Sequence, residues 1–352
     1  MARHPHAMKI LFTCDHTYPL PRTGVGRNPK PMPSASAQRI HDWLGKGLAE
    51  LGHEVVYVLE EEPAGEPLPG VRIVRAPEHD ADIVHTYAMR APHWEASWRG
   101  PSVATCHLDP RTRGIHVIPD NWIFASGTMA RTFGSTRFVI NGIDPSEYRF
   151  SALRGEYLLF LSAMDRHLDK GLDLALAVAR EAGMPLIVAG TGGTREVIDT
   201  VARLCASYGG AEYVGDVQGD EKADLLAGAR ALIFPSRLNE VCPVTVGEAL
   251  VSGTPVITSA SGGLPEIVKS EMGIICRTFE EYVTAVAEID RFDRHVCRAS
   301  ALRDFHYLRM ARDYVAEYER ELGAVPVSAS RPSEAEIRHE SFTKRTAQPS
   351  FL

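Results

Sequence analysis

Long apolar runs are missing from this 352-residue chain. No stretch of about eighteen consecutive apolar residues occurs, so the sequence predicts no transmembrane helix. The amino-terminal segment MARHPHAMKILF has no long apolar core followed by small residues, which argues against a secretory signal. We therefore expect a cytoplasmic protein whose structure begins near Met8.

Cysteines are few, and their spacing matches no metal or disulfide pattern. The six are dispersed, and no pair has the CxxC spacing. This distribution predicts reduced thiols that lie mostly in the core. Cys242 differs from the others because it lies between two glutamates, where a direct role stays open.

An excess of positive charge is also missing. The chain has 38 Lys and Arg against 45 Asp and Glu, for a net charge of −7. This balance argues against a nucleic-acid-binding protein that depends on neutralising phosphates. The hydrophobic fraction of 44% and the charged fraction of 24% are ordinary for a globular protein. No repeat is visible, and the length predicts two domains.

The first half begins with a strand, a loop, a helix and a second strand. The apolar run MKILFTC (8–14) predicts a buried strand, and the periodicity of Ser34–Leu51 predicts a helix that Gly52 ends. The run VVYVL (55–59) follows and completes a βαβ unit. The other strands predicted in this half are VRIV (71–74), DIVHTY (82–87), SVATC (102–106) and RFVI (137–140).

The second half alternates strands and helices more regularly. Its predicted strands are YLLFLS (157–162), PLIVAG (185–190), AEYVG (211–215), ALIF (231–234) and PVIT (255–258). Its predicted helices lie near 170–182, 194–207, 219–229 and 243–252. This alternation is typical of a doubly wound parallel sheet, in which ligands bind at the carboxyl ends of the strands.

Turn and composition signals divide the chain. The turn Asn141–Asp144 precedes a stretch without clear periodicity, so we place a domain boundary after residue 150. We predict one Rossmann-like domain over 8–150 and a second over 151–305. A helix over 306–323 and a flexible polar tail over 324–352 complete the prediction.

Two glutamates carry most of the functional signal. Glu240 and Glu248 bracket seven residues in PSRLNEVCPVTVGEALVSGTPVITSASGGLPEIV (235–268). The first carboxylate lies in a loop after a strand, and the second lies on the helix that follows. Between them, the amides of Val244 and Thr245 at the helix start form an anion site. A carboxylate for a sugar, amides for a diphosphate and a carboxylate for a ribose fit a nucleotide-sugar site.

This segment resembles the carboxyl-terminal signature of retaining glycosyltransferases of family 4. The match includes the Pro-Ser pair, both glutamates, the small residues of 252–255 and the later Gly262-Gly263-x-x-Glu266. The resemblance implies the GT-B fold, in which two facing Rossmann-like, doubly wound domains hold the active site in their cleft. It covers about residues 8–323, and it implies that the helix 306–323 crosses back onto the first domain.

The resemblance also implies roles for residues at other strand ends. Lys170 and Arg166, in the loop after the strand at 157–162, would neutralise a diphosphate. Where the family has Gly-Arg this chain has Met164-Asp165, so its arginine comes one residue late. Gly190 would form a tight turn near the nucleotide, and the backbone at Val217 would lie beside the base.

The remaining candidate residues are two histidines, the loop 18–33 and Glu266 with the glycines before it. His107 matches the family histidine that faces the donor sugar, although a structural hydrogen bond is the alternative, and His85 is its competitor. The loop 18–33 differs from the family's glycine-rich loop in its five prolines, which hints at a distinct acceptor. Glu266 would close the pocket with the preceding glycines or cap the helix that it begins.

The implied reaction moves a sugar from a nucleoside-diphosphate sugar to an acceptor hydroxyl with retention at the anomeric carbon. Glu240 would bind the sugar, and Glu248 would bind the ribose. Uridine is the commonest base in the family. Since cations and amides would stabilise the diphosphate, we expect no metal ion and no cofactor.

The acceptor stays open, and so do four alternative functions. The acceptor would be a small molecule, a glycan or a lipid-linked sugar, and Trp43, Trp94 and Trp98 would offer a membrane-contact patch if they are not core residues. A GT-B epimerase or phosphorylase and a non-catalytic nucleotide-sugar-binding protein are the alternatives. An NAD-dependent oxidoreductase is more distant because the Gly24-x-Gly26 fingerprint is incomplete.

Overall fold

The computed structural model describes residues 7–14, 36–59, 69–87, 98–190 and 192–324. The loop 18–33, Trp94 and the predicted tail from 325 onward lie outside these residues. Within the described part, the apolar runs of the sequence form two parallel sheets, one from each half of the chain.

The first sheet is formed by short runs of residues that are sealed from solvent. Ile10, Val56 and Ile83 lie on three of its strands and are fully buried, as expected where helices cover both faces of a parallel sheet. The strand order is β3-β2-β1-β4-β5-β6, and the described pairs are parallel. The strands are β1 (Lys9–Cys14), β2 (Glu54–Leu59), β3 (Val71–Val74), β4 (Ile83–Tyr87), β5 (Ser102–Cys106) and β6 (Trp122–Phe124).

The second sheet follows the same principle. Leu159, Leu232 and Val256 lie on three of its strands and are fully buried. The order is β12-β11-β10-β7-β8-β9, again with parallel pairs. The strands are β7 (Leu158–Leu161), β8 (Leu186–Ala189), β9 (Ala211–Gly215), β10 (Ala231–Phe234), β11 (Val256–Ser259) and β12 (Gly273–Cys276).

Both sheets have one topology. When the strands are counted from the first of each sheet, the order is 3-2-1-4-5-6 in both. The direction of winding therefore reverses between β1 and β4 in the first sheet and between β7 and β10 in the second. Ligands of doubly wound sheets bind at the carboxyl edge of such a reversal. The topology thus marks one candidate position in each half.

The helices connect these strands. In α8, Thr278 and Glu281 form a reciprocal capping box, which satisfies two amides at the helix start. The helices are α1 (Ser36–Glu50), α2 (Gly127–Thr132), α3 (Leu172–Glu181), α4 (Arg195–Tyr208), α5 (Gly219–Gly228), α6 (Val244–Val251), α7 (Leu264–Ile267), α8 (Phe279–Glu288), α9 (Arg294–Phe305) and α10 (Tyr307–Ala324).

One predicted strand was wrong, and several short elements were not predicted. RFVI (137–140) forms no strand; its residue Phe138 makes only an isolated bridge with Phe124. The last strand of the first sheet is instead Trp122–Phe124, which is too short to give a periodic signal. The sequence analysis also missed β12, α2, α8 and α9.

The last helix packs against the first half of the chain. α10 lies against α1, where Gly47 allows close approach because a Cβ there would lie 2.9 Å from Ala311 Cβ. Tyr318 Oη lies 2.6 Å from His85 Nδ1 at the end of β4. The junction before α10 pairs with the segment between the sheets, since the Ile143 amide donates to Phe305 O at 2.6 Å.

The structure also shows the state of the described cysteines and the character of the described helices. Cys106, Cys205, Cys242, Cys276 and Cys297 are free thiols, and all but Cys242 are buried. In the described part of the chain, no helix has the length and apolar character needed to span a bilayer.

Candidate functional site

Lys170 and Glu240 meet at the winding reversal of the second sheet. Lys170 follows β7 and Glu240 follows β10, and these two strands are neighbours. The Lys170 ammonium donates to Glu240 Oε1 at 2.7 Å, and the Ser236 hydroxyl donates to the same oxygen at 2.5 Å. Glu240 is only 9% exposed, so this pair is well shielded from solvent. The topology therefore brings together two residues that are seventy positions apart in the sequence.

Glycines hold the backbone around this pair. Gly171 has a φ of +82°, and a Cβ there would lie 2.2 Å from Pro235 O. Gly262 has a φ of +58°, and a Cβ there would lie 2.1 Å from Glu240 O. The next amide, of Gly263, donates to the same carbonyl at 2.7 Å. The Gly262-Gly263 pair thus supports the loop that carries Glu240, because only glycine fits this close approach.

Glu248 lies inside α6 and is 3% exposed. Its Oε1 accepts a hydrogen bond from Tyr148 Oη at 2.6 Å and another from Lys222 Nζ at 2.6 Å. Tyr148 belongs to the segment that joins the two sheets, and Lys222 lies in the first turns of α5. Burial, together with the neighbouring carboxylates, raises the pKa of Tyr148 well above its ordinary value, so this hydroxyl remains a donor at neutral pH.

The two carboxylates share one arrangement. In each, Oε1 accepts from a lysine and from a hydroxyl, and within the described residues no donor contacts Oε2. Neither Oε2 is among the buried polar atoms that lack a partner, so both remain open to solvent. A carboxylate oxygen can accept about two hydrogen bonds, and an open oxygen on a shielded carboxylate is suited to ligand hydroxyls.

The start of α6 lies between the two glutamates. The helix begins at Val244, with Pro243 in extended conformation before it and no side chain capping its amides. Both Val244 and Thr245 are partly exposed. The first amides of a helix have no intrahelical acceptor, and the helix dipole favours negative charge there. This end of α6 can therefore hold an anionic group.

Gly190 and Val217 lie at neighbouring strand ends. Gly190 follows β8 with a φ of +141°, and a Cβ there would lie 1.8 Å from Ser162 O after β7. Its carbonyl accepts from Tyr213 Oη at 2.9 Å. Val217 follows β9 and packs its side chain into the core, so only its backbone is available to a ligand.

Arg166 does not join this group of contacts. Its guanidinium is half exposed and bonds Asp169 Oδ2 at 3.2 Å, three residues along the same loop. Arg237, which was not singled out from the sequence, donates to Asp173 at 2.7 and 2.9 Å and ties the loop after β10 to the first turn of α3.

His107 lies just beyond β5 in the first half. Its ring centroid is 5.6 Å from that of His41, which in turn is 5.0 Å from that of His85. Burial lowers the pKa of His107 to about 4, so its imidazole is neutral at pH 7. Burial and the neighbouring His107 lower the pKa of His85 to about 3.

His85 has a structural environment. Its Nδ1 lies 2.6 Å from Tyr318 Oη, and its Nε2 lies 2.6 Å from Thr105 Oγ1, which also contacts Tyr314 Oη at 2.6 Å. All four groups are buried. Both ring nitrogens of His85 are thus used in linking α10 to β4 and β5.

The two halves contact each other beside Glu240. Asn239, the preceding residue, donates to Asp109 Oδ2 at 3.0 Å, two residues after His107. Glu266 accepts from the amides of Gly127 at 3.1 Å and Thr128 at 3.0 Å. Glu266 therefore caps α2 of the first half, and the prediction that it caps its own helix was wrong.

Cys242 and a pair of aspartates have other surroundings. Cys242 is only partly buried, but the loss of water around its thiol raises the pKa to about 11, which leaves it protonated and a poor nucleophile. The sequence Asp80-Ala81-Asp82 precedes β4, at the opposite edge of the sheet from the ligand edge. There Asp80 pairs with the Lys9 ammonium, and Asp82 accepts the Lys9 amide. Among the described residues, no group of three or more His, Cys, Asp or Glu is arranged to hold a metal ion.

The proposed membrane patch is only partly described. Trp43 is 1% exposed, so it is a core residue and offers no surface for a membrane. Trp98 is partly buried and donates from Nε1 to Pro101 O at 3.1 Å.

The sequence analysis missed three residues that hold the glutamates. Ser236 had a local signal, since it lies four positions before Glu240 at the end of β10. Lys222 and Tyr148 had none, because they lie 26 and 100 positions from Glu248. Only the folded chain brings them to the carboxylate.

A family model and two known proteins each match part of this chain. Residues 155–290 match the family described as "Glycosyl transferases group 1". A stretch of 146 residues is 30% identical to the glycogen synthase of Mycobacterium tuberculosis, and one of 153 residues is 25% identical to an uncharacterized glycosyltransferase of Methanocaldococcus jannaschii. Each match covers 39% of this chain but only 34% and 39% of these relatives, respectively.

Solved structures resemble nearly the whole chain. AviGT4, a glycosyltransferase involved in avilamycin A biosynthesis, has a TM-score of 0.71 at 24% identity, covering 90% of this chain and 99% of its own. Sucrose-phosphate synthase from Thermosynechococcus elongatus has a TM-score of 0.68 at 17% identity, covering 90% and 100%. The Anabaena protein HepE, in complex with UDP-glucose, has a TM-score of 0.65 at 15% identity, covering 89% and 99%. These similarities confirm the predicted fold, two Rossmann-like sheets in the GT-B arrangement.

Proposed function

We propose that this protein is a retaining glycosyltransferase of family 4, which transfers a sugar from a nucleoside-diphosphate sugar, with uridine as the base, to an acceptor hydroxyl. The observation that carries the proposal is the pair of shielded carboxylates, Glu240 and Glu248, each with one oxygen held by a lysine and a hydroxyl and the other open. The match over 155–290 supports the same class of enzyme.

Glu240 would bind the donor sugar. Its Oε2 accepts hydroxyl groups of the sugar, and its negative charge stabilises the positive charge that builds on the anomeric carbon as the leaving group departs. Lys170 and Ser236 keep the carboxylate in one orientation by donating to Oε1. The carboxylate is thus oriented before the donor arrives.

The diphosphate and the ribose would lie next to this sugar. The amides of Val244 and Thr245 receive the diphosphate at the start of α6. Lys170 supplies a positive charge nearby, and Arg166 supplies another from its exposed loop. Glu248 accepts the ribose hydroxyls through Oε2, while the turn at Gly190 and the backbone at Val217 lie beside the nucleoside. These groups stabilise the leaving diphosphate without a metal ion.

The acceptor would approach from the first half of the chain. The contact between Asp109 and Asn239 brings the loop after β5 next to the Glu240 loop, and His107 belongs to that first loop. Its imidazole is neutral at pH 7, so it can accept a hydrogen bond from the acceptor hydroxyl rather than supply positive charge. The acceptor oxygen then bonds to the anomeric carbon on the face from which the diphosphate departs, so the configuration is retained. Its proton passes to the oxygen of the leaving diphosphate as the bond from the carbon to that oxygen breaks.

The proposal is tested by release of the nucleoside diphosphate from a panel of donors. The purified protein is incubated with uridine-, guanosine- and adenosine-diphosphate sugars, without acceptor and without added metal. We expect slow release from one donor. The Glu240→Gln variant should reduce release about a hundredfold or more, because the loss of one preorganised charge costs about that factor, while nucleoside-diphosphate affinity stays within about twofold of the wild type.

Other outcomes separate the alternative functions. Release that requires inorganic phosphate would identify a phosphorylase, and a changed sugar without release would identify an epimerase. Tight nucleotide binding with neither reaction would identify a non-catalytic binding protein. Unchanged release in Glu240→Gln would contradict the role of Glu240. No release and no stabilisation by any nucleotide would contradict the proposed function while leaving the fold as described.

A further inference from the structure

The two carboxylate oxygens of Glu248 differ in the hydrogen bonds that they accept. Tyr148 and Lys222 both donate to Oε1, each at 2.6 Å. Oε2 accepts nothing from the described residues and is not sealed from solvent, although the residue is only 3% exposed. A buried carboxylate is stabilised when its remaining lone pairs find donors. The arrangement thus leaves one oriented acceptor for a ligand.

The two donors constrain the carboxylate differently. The Lys222 ammonium ends a flexible chain and supplies charge, whereas Tyr148 is a rigid ring that is 5% exposed and lies against Trp43, with ring centroids 6.5 Å apart. With Lys222 alone, the carboxylate and the lysine can turn together. The fixed Tyr148 hydroxyl prevents that rotation, because it bonds the same oxygen from a second direction.

We propose that Tyr148 and Lys222 are positioning residues that orient Glu248 so that Oε2 accepts the ribose 2′- and 3′-hydroxyls, and that they thereby set the preference for ribonucleotides over dideoxynucleotides. This inference rests on the proposed function of the same site. Neither residue needs to touch the nucleotide. Their effect passes through Glu248, and it therefore disappears when the ribose hydroxyls are absent.

The test compares affinities for two forms of each nucleotide. Uridine, guanosine and adenosine diphosphates and their 2′,3′-dideoxy counterparts are titrated into the full-length protein by calorimetry. The wild type should bind the ribonucleotide at least about tenfold more tightly, since a hydrogen bond to a charged group is worth about that factor. Tyr148→Phe should lower this ratio by about threefold to tenfold, and Lys222→Met by a similar factor. Affinity for the dideoxy form should be unchanged in both.

Matched variants separate positioning from general damage. Tyr157→Phe removes a hydroxyl that donates to Leu225 O at 2.9 Å, and Lys269→Met removes an ammonium that pairs with Asp304 at 2.7 Å. Both should keep the wild-type ratio, because neither residue contacts Glu248. Thermal unfolding of each variant with no nucleotide present confirms that all are folded under the titration conditions.

Each other outcome overturns the inference in a different way. A wild-type ratio in Tyr148→Phe and Lys222→Met would show that Glu248 needs neither residue. If these variants lost ribonucleotide affinity and dideoxynucleotide affinity equally, Tyr148 and Lys222 would have a structural role only. Equal affinities of the wild type for the ribonucleotide and the dideoxynucleotide would show that Glu248 does not bind the ribose hydroxyls, although the protein would still bind nucleotides. A wild type that binds no nucleotide would overturn the proposed function together with this inference.

Discussion

Glu240 and Glu248 are held by the same kinds of groups but from different parts of the chain. Each is shielded, and each accepts from one lysine and one hydroxyl through Oε1. Both donors to Glu240 lie in the second half, at the ends of β7 and β10. For Glu248, one donor is Tyr148, which lies between the two sheets. The geometry at Glu240 is therefore set within one half, whereas that at Glu248 also depends on how the halves are joined.

The segment around Tyr148 is fastened to the first half. Its neighbour Glu147 pairs with Arg39 and accepts from Trp43 Nε1 at 3.1 Å, both on α1. Asp144 pairs with Lys46 of the same helix at 2.5 Å. A shift of α1 relative to α6 is thus transmitted to the Tyr148 hydroxyl. We infer that the orientations of the Glu240 and Glu248 carboxylates respond to different structural changes.

The largest change in kinetics is expected when Lys170 or Lys222 is substituted. Lys170→Met should lower the rate of nucleoside-diphosphate release about a hundredfold, because it leaves the shielded Glu240 without its cation and removes a charge near the diphosphate. Lys222→Met should chiefly weaken ribonucleotide binding. Steady-state kinetics with Lys269→Met as the control separates kcat from KM. If both substitutions lowered kcat equally, the division between the two carboxylates would be wrong.

Acid should weaken the packing of α10 against β4 and β5, where His85 lies. The folded-state pKa of His85 is about 3, below the unfolded value of about 6.5, so the unfolded chain binds more protons between these values. Stability is therefore complete above pH 6.5 and falls as the pH drops towards 3, by about 2 kcal/mol at pH 5 from this residue. His107 acts in the same direction down to about pH 4.

Denaturant unfolding between pH 4 and pH 8 measures this dependence. The wild-type free energy of unfolding should decline below pH 6.5, and His85→Gln should flatten that decline because it removes one imidazole whose pKa is lowered by burial. Parallel curves for the two proteins would show that His85 does not contribute.

Ser236→Ala should have a smaller effect on Glu240. The substitution removes one of two donors to Oε1 but keeps the charge of Lys170, so we expect kcat to fall about tenfold with little change in nucleotide affinity. Ser207→Ala, which removes a hydroxyl bonded only to Leu204 O on exposed α4, is the control. An effect confined to KM would assign Ser236 to binding rather than to the orientation of Glu240.

The smallest effect is expected from Glu147→Gln. It weakens the ion pair with Arg39 and so loosens Tyr148, which should reduce ribonucleotide affinity about threefold and leave kcat unchanged. Isothermal titration and initial rates on the same preparation measure both quantities. A change in kcat without a change in affinity would mean that Glu240, too, depends on the joining segment.

Local patterns in the sequence predicted much of the fold. The apolar runs predicted eleven strands, and ten of these are among the twelve strands of the described residues. The alternation of strands and helices predicted the winding of the second half. Short elements were beyond that reasoning. Trp122–Phe124 is too brief for periodicity, while RFVI has a suitable composition but lies beyond the sheet edge and makes only an isolated bridge.

The site was less predictable because its parts come from distant positions. The two glutamates were found from their local motif, but Tyr148 has no local signal and gains its role from a contact a hundred residues away. The sequence left two roles open for Glu266, closing the pocket or capping its own helix, whereas the folded chain offers it the amides of α2. The roles of Lys170, Arg166 and His107 remain predictions.

The position of α10 has a consequence for how the protein is made. The groove on α1 that receives α10, and the buried His85 beneath it, come from the first half of the chain, but their partners Ala311 and Tyr318 are translated only after the second sheet. The first half therefore leaves the ribosome with an uncovered apolar surface. Domains often fold in the order of synthesis. Here the first half buries this surface only after α10 has been made, so we expect it to complete its folding late.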